Sequence, residues 1–245
     1  MSFRISYLVI LILLLLTENV NAQKGVTTFG LQYKPIIPNR LVGTYTQDFN
    51  EGQLVSSIKQ KLGHCYGGVV RHGLNNMISL ETGLSVTQRF FGLNFSVPDS
   101  GLAATGKVGV VSYEIPRSCL IYIRLGEQFY MNTSLGTSLT MFTSNVRTVY
   151  PLGEGELFTQ EGAYNSKVQG ALLANFGFEY RTRSKGYFYV GTSFHQPFTY
   201  AMRMAMAYEF QGGKTVAIDK VQGSYLTLDF RYFFPEKPEK TVTTN

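Results

Sequence analysis

Tryptophan is absent from the 245 residues, cysteine occurs twice, histidine three times, and charged residues make up only 16%. Soluble globular proteins usually carry about a quarter of their residues as Asp, Glu, Lys and Arg. The low charge therefore argues against a soluble helical enzyme. Two cysteines cannot build a disulfide scaffold. Cys65 and Cys119 fall on non-adjacent predicted strands, too far apart to bridge, so both are expected as free thiols. No Cys/His spacing matches a zinc site, and the acidic stretch 153–156 lacks the ligand pattern of a calcium loop. No glycine-rich strand-to-helix phosphate loop occurs. Neither a metal nor a cofactor is expected. The basic excess, +6, is scattered along the chain, which argues against a nucleic-acid partner.

Long apolar runs are also missing, with one exception. Residues 8–16 (L-V-I-L-I-L-L-L-L) follow Arg4 and precede a polar stretch ending in Val20 and Ala22. The run is about half the ~20 residues a spanning helix needs. It has the layout of a secretory signal peptide over 1–22, cut between Ala22 and Gln23. Nothing later could cross a bilayer as a helix. An exported chain in a membrane must then satisfy its backbone by closing into a barrel.

What the chain has in abundance is glycine (25), phenylalanine (18) and tyrosine (16). Period-two alternation predicts eight strands, over 26–35, 64–72, 77–95, 107–125, 129–145, 167–183, 186–210 and 222–234. Their connections alternate, long then tight. The segments 73–76, 126–128 and 184–185 are tight, whereas 36–63, 96–106, 146–166 and 211–221 are long. Outer-membrane barrels sort their loops in this way, with short periplasmic turns and long external loops. The fold class predicted is all-β, an eight-stranded antiparallel up-and-down transmembrane β-barrel. It should occupy 23–235 in the cell outer membrane of a Gram-negative bacterium, with a flexible tail over 236–245.

One face of each strand is apolar and the other is polar, small or charged. The charged face supplies Glu81, Arg89, Glu114, Arg124, Glu179, Arg181, Arg203, Glu209, Asp229 and Arg231. Read as same-strand pairs of opposite sign, they suit a narrow, filled, hydrogen-bonded lumen, because buried charges need partners. A soluble lipocalin-like periplasmic carrier would turn the apolar face inward instead. Phe90, Phe91, Phe95, Phe129, Tyr180, Phe188, Phe210, Tyr232, Phe233 and Phe234 lie near strand ends, as girdle aromatics do. Residues 54–62 could form a short amphipathic helix in the first long loop. The alternating Met202, Met204 and Met206 suit lipid- or loop-facing packing.

Ser112–Pro116 (S-Y-E-I-P) resembles the Y-x-E-I-P signature of the PorT-like outer-membrane β-barrel proteins of Bacteroidetes. Residues 80–90 (L-E-T-G-L-S-V-T-Q-R-F) and 186–198 (G-Y-F-Y-V-G-T-S-F-H-Q-P-F) are similar to strands of the same family. The sequence differs at Arg117, Ser118 and Cys119, where the family has an aliphatic run. The resemblance implies an eight-stranded barrel of the OmpA/OmpX shape and carries no catalytic residues.

Three functions follow as alternatives. The first is an integral barrel acting through its external loops as a structural, interaction or assembly component. Such a monomer would contact outer-membrane lipid, lipopolysaccharide and other envelope or secretion proteins. The second is the soluble carrier. The third is a lipid A-modifying barrel enzyme, for which Ser193 and His195 with Glu179 or Asp229 form the best available triad. A non-enzyme is expected, since any barrel carries serines and carboxylates on one face.

Overall fold

The computed structural model describes residues 25–40, 45–153, 155–182 and 184–235. The predicted signal peptide, its cleavage point and the tail 236–245 lie outside the described residues. Fourteen strands run in chain order among the described residues. They are β1 (Thr27–Ile37), β2 (Thr46–Glu51), β3 (Leu54–Gln60), β4 (Gly63–Gly73), β5 (Ile78–Val97), β6 (Leu102–Arg124) and β7 (Phe129–Phe142), then β8 (Val146–Gly153), β9 (Glu156–Tyr164), β10 (Val168–Arg181), β11 (Tyr187–Pro197), β12 (Met202–Phe210), β13 (Gly213–Val221) and β14 (Tyr225–Phe233).

Eight of these close into an antiparallel barrel in the order β1, β4, β5, β6, β7, β10, β11, β14, with β14 returning to β1. Closure leaves no edge in the wall. The tight turns β4–β5, β6–β7 and β10–β11 sit at one end, beside both ends of the barrel segment, and the long connections sit at the other. Outward positions are apolar and exposed: Leu31, Leu84, Leu135, Val190 and Phe230 are all more than two-fifths accessible. Inward positions hold Gln32, Ser85, Asn175, Glu179 and Asp229, all buried. This face assignment is opposite to a soluble carrier's, so the lipocalin-like alternative is overturned.

The long connections are themselves strands, which the sequence reading did not foresee. β2 and β3 form a hairpin, and β3 pairs with the upper half of β5. The stretch 54–62 is thus mostly strand rather than helix: Leu54, Ser56, Ile58 and Gln60 point inward at period two. A second sheet, in the order β13, β12, β9, β8, faces this extension. The predicted long strand 186–210 is therefore two strands in two different sheets. Pro197 cannot donate to a ladder, and the chain leaves the barrel wall there before β12 begins.

The two sheets enclose an apolar core. Phe49, Leu54, Ile58, Leu93, Phe95 and Val110 come from one side, and Phe158, Met202, Met204, Met206 and Val221 from the other. Phe95 and Phe158 stack at 5.1 Å between centroids. The three methionines face this core, so their packing belongs to the loop region and not to lipid. Phe91, Phe95 and Phe233 point inward and are buried, and Phe210 packs against the core, so these four are not girdle residues. Phe90, Phe129, Tyr180, Phe188 and Phe234 do face outward.

Along β5 both faces exchange character at a single level. Below it, Leu84 and Phe90 face out while Ser85, Thr87 and Arg89 face in. Above it, Gly92, Asn94 and Ser96 face out while Phe91, Leu93, Phe95 and Val97 face in. β6 repeats the change between Val110 and Ser112. A strand whose two faces swap polarity together is passing from lipid into water. In the middle of the belt the outward face carries one charge among the described residues, Arg117, flanked across the ladders by Thr82 and Thr137.

Candidate functional site

The lumen holds the one concentration of buried charge among the described residues. Its wall positions come from register. Arg71 on β4 stands directly opposite Glu81 on β5. Its Nε and Nη2 donate to Glu81 Oε2 at 3.1 and 2.9 Å, and its Nη1 donates to Glu179 on β10, across the interior. Arg181 donates to the other oxygen of Glu179 at 2.6 Å. Arg231 bridges Glu81 and Asp229, the second at 2.7 Å, and Lys34 lies 3.6 Å from Asp229. The result is an unbroken ladder of alternating sign: Arg181, Glu179, Arg71, Glu81, Arg231, Asp229, Lys34. Each carboxylate meets at least two cations, which is what burial of a charge demands.

Neutral groups complete the coordination. Asp229 accepts hydrogen bonds from Ser193, Thr227 and Asn175, and the Tyr189 hydroxyl donates to Asn175 Oδ1 at 2.6 Å. That phenol fits because Gly177 and Gly191 face it. A Cβ on either would lie 2.3 or 2.2 Å from its oxygen. At the tight-turn end the guanidiniums lie on aromatic rings. Arg71 is 3.9 Å from the Phe233 centroid, and Arg181 is 4.1 Å from that of Tyr130. Such stacking suits a weakly hydrated planar cation.

Nearer the external end a second group surrounds His195. Its ring stacks on Tyr225 at 4.5 Å, and its Nε2 lies 3.2 Å from Ser138 Oγ. Tyr225 donates to Glu114 at 2.7 Å, and Arg89 lies over the same tyrosine while donating to the Gly223 carbonyl at 3.0 Å. The free space is slight. One cavity of about 40 Å³ is lined by Lys34, Glu114, His195 and Tyr225, and one of about 10 Å³ by Arg89, Thr140 and His195. These hold a few waters at most. Above them sits the apolar core of the extension.

Seven of the ten predicted lumen residues are therefore inside: Glu81, Arg89, Glu114, Glu179, Arg181, Asp229 and Arg231. Three are not. Arg124 is exposed at the tight-turn rim, where it donates to the Gly126 carbonyl. Arg203 is exposed on β12, and Glu209 pairs with Lys214 at the tip of the β12–β13 hairpin. Both left the lumen when β12 left the barrel. The pairs Glu81–Arg89 and Glu114–Arg124 do not form, whereas Glu179–Arg181 and Asp229–Arg231 do. Arg71 and Lys34 were missed. Both sit at inward positions of their strands, and that alternation was the signal available. The Ser193–His195–Asp229 triad does not assemble, since Ser193 donates directly to Asp229 and His195 turns to Ser138. Cys65 is buried inside and Cys119 exposed outside, both as free thiols.

A closed eight-stranded wall, a charge-filled interior and an apolar outer belt decide the architecture. The chain has the fold of an outer-membrane β-barrel protein. Its belt seats it in the outer membrane. Among solved structures it resembles the outer membrane protein OprG of Pseudomonas aeruginosa, with 10% identity over 89% of this chain and 100% of that one and a TM-score of 0.51. It also matches the outer membrane protein AlkL, with 11% identity over 91% and 97% of the two chains and a TM-score of 0.43. Ail of Yersinia pestis matches with 10% identity, 86% and 100% coverage and a TM-score of 0.35. No family model and no curated protein matches the sequence.

Proposed function

We propose that this barrel is a non-enzymatic, non-conducting support that carries a packed β-sheet platform outside the membrane for interaction with other envelope components. The observation that carries this reading is the continuity of the platform with the wall. β5 and β6 run from the lipid belt into the two-sheet extension without a break, so the platform is held rigidly. Function on rigid barrels concentrates in the external segments. The charge ladder below and the apolar core above, among the described residues, support a closed axis. The resemblance of Ser112–Pro116 to the PorT-like signature agrees with an envelope role, and membership of that family is part of the proposal.

The exposed contact face is the outer side of the second sheet, where Val149 and Ile218 are accessible beside Arg203 and Lys220. Photo-crosslinking residues placed at 149 and 218 in cells should give discrete protein adducts, and reconstituted protein should not make liposomes swell in small sugars. Sugar-driven swelling with no adduct would replace this reading with a channel. For the enzymatic alternative, lipid A masses should be unchanged by His195→Ala; a changed lipid A profile would restore it.

A further inference from the structure

The level at which β5 changes character is marked by a cluster of cations. Phe90 is the last outward aromatic of the belt on this strand. The next outward residue, Gly92, pairs with Lys59 of β3 on one side and Lys107 of β6 on the other. Lys61 starts one row lower, its backbone N–H donating to the Phe90 carbonyl at 2.8 Å. Its side chain then rises across Gly92. A Cβ there would lie 2.7 Å from Lys61 Cε and 3.6 Å from Nζ. Lys59 and Lys107 thus flank Gly92 in one outward row, and the absence of a side chain at 92 is what admits Lys61 across it. Lys59 also lies over the Tyr45 ring at 5.1 Å, and Arg40 approaches the same ring at 5.5 Å.

None of these cations forms an ion pair among the described residues, in contrast to the arginines of the lumen ladder, Arg71, Arg181 and Arg231. Asp48, the carboxylate of β2 on this side, stands opposite Ser57, one outward row farther from the membrane. Like charges gathered without a carboxylate repel, and an anion between them removes the repulsion. The depth of the cluster says which anion. Directly below lies Phe90, then a row of amphipathic side chains at Gln88 and Tyr66, with Leu84 deeper in the belt, and this border between water and the apolar belt is where the phosphate of a lipid headgroup resides. The cluster lies at the long-loop end, which faces the outer leaflet.

We propose that Lys59, Lys61 and Lys107, with Arg40 on the Tyr45 shelf, bind the phosphate of an outer-leaflet phosphoglycolipid. The inference rests on the barrel's seat in the outer membrane and is independent of whether the platform docks a protein.

The test uses the full-length mature protein in detergent and lipid A as ligand, with bound lipid counted by native mass spectrometry. Bisphosphorylated lipid A should be retained, and its dephosphorylated form should not. Combining Lys59→Gln, Lys61→Gln and Lys107→Gln should weaken retention roughly a hundredfold, at about a kcal/mol per surface cation. Lys167→Gln with Lys185→Gln and Lys214→Gln removes the same charge elsewhere and should leave retention unchanged. Gly92→Val keeps every lysine but displaces Lys61, and should weaken retention too. Heat-modifiable gel mobility verifies folding of each variant. Equal retention by the triple variant and the wild type would overturn the site. Equal binding of dephosphorylated lipid A would do the same. Full competition by millimolar inorganic phosphate would show a general anion site and overturn the lipid assignment.

Discussion

At the scale of single residues, Arg71 and Arg117 are opposite cases. Arg71 is buried and shared between Glu81 and Glu179. Replacing it with Met leaves two buried carboxylates with one cation each, at a cost of about 3–5 kcal/mol. Urea unfolding in detergent micelles should show that loss, and adding Glu179→Gln should recover part of it. Arg117 faces lipid in mid-belt with no ion-pair partner among the described residues. A lipid-facing Arg at the bilayer midplane costs about 2–4 kcal/mol, so Arg117→Leu should stabilise the barrel by that order in bilayer unfolding measurements. An unchanged or lower stability would mean that its guanidinium is satisfied within the membrane. The sequence displayed Glu81, Glu179, Asp229 and their inward face plainly. It also showed the same-strand partners Arg181 and Arg231, and it hid Arg71 and Lys34 because the rest of the pairing runs across strands. Arg71 meets Glu81 through register and Glu179 through space, and neither relation shows as a spacing along the chain.

At the scale of elements, the barrel strands were readable because alternation and loop parity agree over long segments. The extension was not, because its strands are short. In β3 the pattern L-V-S-S-I-K-Q is too brief to separate a strand from an amphipathic helix. β8 and β13 carry polar and glycine-rich ends that resemble loops. β12 alternated so well with β11 that the two read as one, and only Pro197 marked the break. The methionines of β12 test the element itself. Met204→Ala removes a fully buried side chain and should cost the extension about 2–5 kcal/mol. Limited proteolysis should then cut within 146–164 or 202–221 while the barrel keeps its heat-modifiable mobility. Joint loss of both would show that extension and barrel unfold as one unit.

At the scale of the whole molecule, the same wall serves two solvents. In lipid it is apolar outside and charged within, and in water the order is reversed. Boiled and unboiled samples should therefore migrate differently, and the protein should fractionate with the outer membrane. Soluble recovery without a shift would contradict the belt. The overall architecture was the most readable property of all, since it depends on period and parity rather than on any one contact. The stacked second sheet was the least readable, because it depends on where the chain leaves the wall.

The two cysteines give this architecture a clock. Before insertion both thiols belong to an open chain in water. Afterwards Cys65 lies inside a packed lumen and Cys119 against acyl chains. A charged, membrane-impermeant alkylating reagent added at successive times would mark chains that have not yet inserted and spare those that have. The unmodified protein then carries its own time stamp of assembly, with one thiol reporting closure of the interior and the other contact with lipid.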